Sequence, residues 1–140
     1  MDRRNLLAAL AGTALPVLVP GRLRAQGSPP RIAYLSGRSQ ETDVHLLEAF
    51  KDGLKTLGYV EGQNVSLEVR WANGRYHDVP GLAQQVAASR PDIFVAVGGN
   101  PVGLAAKAAT STIPVLFAAG ADPVTIGLVG NLNRPDGNVT

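Results

Sequence analysis

Asp92-Ile93-Phe94-Val95-Ala96-Val97-Gly98-Gly99-Asn100-Pro101 is the stretch on which the fold turns. Its apolar run from Ile93 to Val97 does not alternate with polar residues. That is the habit of a strand covered on both faces, as in a parallel sheet. Gly98 and Gly99 end the run. Asn100-Pro101 then reads as a helix N-cap with proline at the first helical position, opening a helix to about Ala109.

The same alternation extends in both directions. Upstream, Ile32-Ala33-Tyr34-Leu35, within Arg31 to Ser36, is another short buried run. From Thr42 the period changes: Leu46, Leu47, Phe50, Leu54 and Leu57 recur at helical spacing, and Gly58 supplies a left-handed stop. Val65, Leu67, Val69 and Trp71 alternate with Ser66, Glu68 and Arg70, the pattern of an edge strand with one wetter face. Val79, Leu82, Ala83, Val86 and Ala87 form a second helical stripe, stopped by Pro91. Downstream, Pro114 to Ala118 predicts a fourth strand, and Asp122-Pro123 repeats the cap-then-proline signal for a short helix towards Val129. Val139-Thr140 begins a further strand. Such alternation implies an α/β fold with a doubly wound parallel sheet and right-handed crossovers. The half-polar second strand predicts a strand order beginning 2-1-3-4.

The chain has 140 residues, 45% of them hydrophobic, and no cysteine. It is too apolar for a disordered tail and holds no disulfide scaffold or thiolate site. Its formal charge of +2 reflects 13 basic and 11 acidic residues. Arg3, Arg4, Arg22 and Arg24 lie in residues 1–25 against Asp2 alone. Residues 26–140 therefore hold nine basic and ten acidic groups, which gives no reason to expect nucleic acid as a partner. Residues 1–25 combine a basic start, an apolar run from Leu6 to Val19 and a small residue at Ala25, which predicts an export signal. Arg3-Arg4-Asn5-Leu6-Leu7 matches its twin-arginine form. Residues 26–30 read as a linker, and residues 31–140 as the folded unit. Export predicts a periplasmic or otherwise extracytoplasmic protein.

Ligands of doubly wound sheets sit outside the carboxyl ends of the strands, where the strand order reverses. That rule selects Ser36 to Ser39, Gly98 to Pro101 and Ala119 to Pro123. The ligand-binding candidates are Ser36, Gly37, Gly98, Gly99, Asn100, Gly120 and Asp122. Glycines allow close backbone approach, and a helix N-terminus favours a carboxylate or other anion. Each candidate has a plainer role: the glycines as turn residues, Asn100 and Asp122 as caps. Asp122 has a second reading as the partner of a ligand ammonium. Trp71 belongs to the apolar set of its strand, so packing outweighs stacking on a ligand.

Enzymatic readings fail on spacing. Gly98 to Gly103 is not G-x-G-x-x-G, and neither a phosphate-binding G-x-x-x-x-G-K-[ST] nor a G-x-S-x-G elbow is present. His45 and His77 have no partners in register for a metal or for acid–base chemistry. The expectation is a binding protein with no catalytic residue, metal or cofactor. The alternative, with residues 1–25 taken as something other than a leader, is a cytoplasmic flavodoxin-like nucleotide-binding protein or small enzyme.

Ala49-Phe50-Lys51-Asp52-Gly53-Leu54 and Leu57-Gly58-Tyr59-Val60-Glu61-Gly62-Gln63-Asn64 carry a family resemblance. So do Arg70-Trp71-Ala72, Gly74-Arg75-Tyr76 and the run Ala105 to Pro114. Asp122-Pro123-Val124, Gly127-Leu128-Val129 and Leu132 to Thr140 complete it. Over about residues 31–140 the chain resembles the substrate-binding proteins of ABC importers, in the group that includes tryptophan-type members. The resemblance implies a type I periplasmic-binding-protein fold, with two α/β lobes closing on a small solute, such as an amino acid, that is passed to a membrane permease. It also implies that Ser36 and the turns at Gly98–Pro101 and Gly120–Asp122 face the cleft. Family members run to about twice this length, so residues 31–140 are expected to form the N-terminal lobe, without the second one. An exposed apolar patch near the C-terminus is expected with it.

Overall fold

In a computed structural model, residues 27–135 and 137–140 are described. The expected export signal lies outside them. Strand β1 (Arg31–Ser36) lies parallel to β2 (Ser66–Trp71) on one side and to β3 (Ile93–Val97) on the other. Strand β4 (Val115–Phe117) extends the sheet beyond β3, giving the order β2-β1-β3-β4. Val139 bridges to Val115 in parallel, and Thr140 exchanges backbone hydrogen bonds with β4, so the tail does begin a further strand. The order reverses between β1 and β3.

Helix α1 (Gln40–Thr56) follows β1 and covers one face of the sheet. It starts at Gln40 rather than Thr42, because Ser39 is its N-cap: Ser39 Oγ accepts the Thr42 N–H at 3.4 Å. At its far end Gly58 takes a left-handed φ of +87°, and the N–H groups of Gly58 and Tyr59 return to the carbonyls of Lys55 and Leu54. Ile32, Tyr34, Leu47 and Val95 form the core on this side. On the opposite face, helices α2 (Val79–Ala88) and α3 (Asn100–Ala109) pack together over Ala33, Leu35, Phe94 and Ala96. Every residue of β2 is half-buried, as an edge strand requires.

Two expectations need correction. Asp122-Pro123 opens a single hydrogen-bonded turn, not a helix: Ile126 N–H reaches the Asp122 carbonyl and Leu128 N–H the Pro123 carbonyl, and the chain then leaves. The next residues are Val124, Thr125, Ile126 and Gly127, three β-branched residues and a glycine at φ +77°, poor material for propagation. The N-cap of α3 is Gly99, with Asn100 already helical. The Asn100 side chain is used elsewhere. Among the described residues no helix is long and apolar enough to cross a membrane.

Candidate functional site

The carboxyl ends of β1, β3 and β4 open into a surface cavity of about 700 Å³ at the point where the strand order reverses. Its floor is apolar, from Tyr34, Val95 and Val97 of the sheet with Leu46 and Phe50 of α1. Around it stand the polar side chains of Arg38, Asp43 and Asn100 and the backbone of Gly98 and Gly99, with the small residues Ala118 to Ala121 beside them. Four candidates named from sequence therefore line one cavity: Gly98, Gly99, Asn100 and Gly120. Ser36, Gly37 and Asp122 are not among its lining residues.

Ser36 is fully buried, and its Oγ accepts the Arg38 N–H at 3.2 Å. Gly37 is where the first loop meets the second. Its N–H donates to the Val97 carbonyl at 3.1 Å, and a Cβ there would lie 2.7 Å from the Gly98 carbonyl oxygen. Gly98, at φ +80°, is equally confined, its own Cβ position being 2.7 Å from Ser36 Oγ. These glycines let two loop backbones touch. Tyr76, which sequence reasoning left without a role, locks the contact: its hydroxyl donates to the Gly98 carbonyl at 2.7 Å and its ring lies against Gly37 and Gly99.

The third loop is tied to the second by Asn100, whose Oδ1 accepts the Gly120 N–H at 3.1 Å. Asp122 is spent on its own turn, accepting from the Val124 N–H at 2.9 Å and the Thr125 hydroxyl at 3.2 Å. Those donors, the Val124 N–H first, hold its carboxyl below the usual carboxylate range.

Asp43 is the residue the sequence reading missed. It sits on the apolar stripe of α1, three, four and seven residues before Leu46, Leu47 and Phe50, and an acid in that register was the available signal. Its side chain is only 3% exposed. Oδ1 lies 3.5 Å from Arg38 Nη1, while Oδ2 has no hydrogen-bond partner among the described residues. Burial raises the pKa of the neighbouring Tyr34 hydroxyl, and the Asp43 charge adds to the shift. Tyr34 packs against Phe50 at 5.7 Å and edge-on to Trp71 at 6.2 Å, so Trp71 is a packing residue. His45 and His77 are exposed, and no cluster of metal-ligating side chains occurs among the described residues.

Comparison with known proteins identifies the family. Residues 34–140 match the family model for ABC transporter substrate binding proteins. A tyrosine-binding protein of Clostridioides difficile is 32% identical over 108 residues, covering 74% of this chain and 31% of that protein. Among solved structures, an ABC domain in complex with L-Trp from Streptococcus pneumonia superposes with a TM-score of 0.73 at 29% identity, over 81% of this chain and 38% of that one. A conserved domain protein from Vibrio cholerae gives a TM-score of 0.73 at 32% identity, over 79% of this chain and 37% of its own. The chain thus spans about a third of the length of these relatives. Its parallel sheet with flanking helices is theirs as well, and the chain belongs to the ABC transporter substrate-binding protein family.

Proposed function

We propose that residues 31–140 form the N-terminal lobe of the substrate-binding component of an ABC importer. It works outside the cytoplasm, captures an amino acid or a related small solute between two lobes, and delivers it to the permease. Residues 1–25 direct the export. The observation that carries this reading is the cavity at the strand-order reversal, with its apolar floor and polar rim, inside the segment that matches the family. About 700 Å³ falls within the usual size of small-molecule sites. The relatives named for tyrosine or solved with L-Trp support an amino acid as the solute class.

On this reading Gly98, Gly99, Asn100 and Gly120 meet the solute, while Ser36, Gly37 and Asp122 act behind them by holding the loops in place. The chemistry is recognition alone: Pro101 has no N–H and the Val102 N–H is bonded to the Gly99 carbonyl, so the N–H groups of Gly99 and Asn100 are the ones offered to an anionic end, and the floor takes an apolar side chain. Uptake of labelled amino acids by the source cells, with and without the gene, tests it. The expected result is loss of high-affinity uptake of at least one amino acid, restored by the gene in trans. Unchanged uptake of every amino acid overturns the assignment of an amino acid as the solute.

A further inference from the structure

We propose that Asp43 Oδ2 receives the ammonium group of an α-amino acid whose carboxylate lies between Arg38 and the first turn of α3. This rests on the reading of the cavity as an amino-acid site and assigns the residues that hold the two charges. The starting observation is an anomaly. A carboxylate oxygen that is nearly excluded from solvent and lacks a donor is costly, and buried polar groups are almost always partnered. Asp43 lines the cavity, one turn of α1 before Leu46 and two before Phe50, and the enclosed Oδ2 meets a ligand there once the carboxyl turns about χ2.

The surroundings narrow the donor. Arg38 approaches only Oδ1, at 3.5 Å, and is 58% exposed, so most of its guanidinium donors stay open to a second acceptor. A hard metal ion would need several oxygen ligands, and a single carboxylate beside an arginine does not supply them. An anion alone would meet Arg38 and the α3 N-terminus but leave Oδ2 unmatched. A zwitterion satisfies both: its ammonium donates to Oδ2 and its carboxylate faces Arg38 and the N–H groups around Gly99 and Asn100. Its side chain then lies over Phe50, Leu46 and Val97.

Amide chemical-shift mapping by NMR on the 140-residue chain tests this, with L-tryptophan, L-phenylalanine and L-leucine at millimolar concentration and indole-3-propionate as the probe lacking the amino group. L-Tryptophan is expected to shift Asp43 and the Gly98–Asn100 turn. Asp43→Asn should weaken that binding about 10-fold or more with the spectrum of the fold retained, and leave indole-3-propionate unaffected. Equal affinity of wild type and Asp43→Asn for L-tryptophan overturns the Asp43 assignment and leaves the amino-acid reading standing. Should the variant fail to fold, the wild type decides alone: indole-3-propionate binding as tightly as L-tryptophan overturns the assignment. No shift with any of the three amino acids overturns the amino-acid reading and this inference with it.

Discussion

A methyl group at Gly37 would lie 2.6 Å from the Tyr76 ring, 2.7 Å from the Gly98 carbonyl oxygen and 2.9 Å from Val102. Two of those neighbours are anchored to one another, since the Tyr76 hydroxyl holds the Gly98 carbonyl. Gly37→Ala must therefore push the first and second loops apart, at a cost of about 1–3 kcal/mol. Tyr76→Phe keeps the ring and removes only the hydrogen bond, for about 1 kcal/mol. Denaturant unfolding of the two variants measures both, and a silent Gly37→Ala would contradict the packing described. Asp43 offers a separate check. Its charge helps keep Tyr34 protonated, so Asp43→Asn should lower the Tyr34 pKa while burial keeps it above the ordinary tyrosine value. An NMR titration that leaves Tyr34 unmoved by the substitution would show that the two groups do not sense each other. Among the residues that line the cavity, Gly98, Gly99 and Gly120 were legible from their place after strands. Ser36 looked available but is walled in by contacts from distant segments. Asp43 carried a signal, an acid in the apolar register of α1, but its burial and the partnerless Oδ2 depend on the folded packing around α1.

Identical local signals at Asn100-Pro101 and Asp122-Pro123 lead to different elements, and the difference lies in the residues downstream of each proline. After Pro101 come Val102 and Gly103 and then an unbroken run of good helix formers, Leu104, Ala105, Ala106, Lys107, Ala108 and Ala109, and the result is α3. After Pro123 the β-branched residues and Gly127 allow one turn. Strands were legible to within a residue or so because unbroken apolar runs admit few other readings, and the alternating β2 revealed its edge position. Cap identity was less legible, since Gly120 competes for the Asn100 side chain and Gly99 takes the cap position. Asn100→Ala should thus leave the helicity of α3 unchanged while releasing the Ala118–Ala121 loop, at a cost of about 1 kcal/mol. Amide exchange that speeds up at Gly120 and not within α3 is the expected pattern; fraying of α3 would restore Asn100 as the cap. The Asp122 turn carries its own pH dependence. Because the folded carboxyl titrates below its unfolded value, its stabilising effect is complete above about pH 4 and is lost as pH falls through the lowered folded pKa. Loosening of Val124 and Thr125 in acid, with α3 intact, is the signature to look for.

For the whole molecule, the two faces of the sheet are unequally covered. Helices α2 and α3 close one face, whereas on the other α1 packs with residues of β1, β2 and β3 and leaves β4 the less covered strand. Leu116, paired in register with Val95, is 40% exposed there, and Leu46 is 44% exposed across the cavity. Good small-molecule sites bury roughly 70–90% of their ligand, and a single wall does not. Free amino acids should accordingly bind this 140-residue chain with dissociation constants of about 1–20 mM, weak but within reach of NMR shift mapping, and calorimetry returning micromolar affinity would contradict the one-wall picture. The same open face should bind a hydrophobic fluorescent dye, since apolar surface of this kind marks an interaction site. Leu116→Lys, at a position where a charge reaches solvent without entering the core, should cut that fluorescence and leave unfolding stability within about 0.5 kcal/mol. A dye-silent, monodisperse chain would mean that the tail after β4, which already pairs through Val139, shields the face by itself.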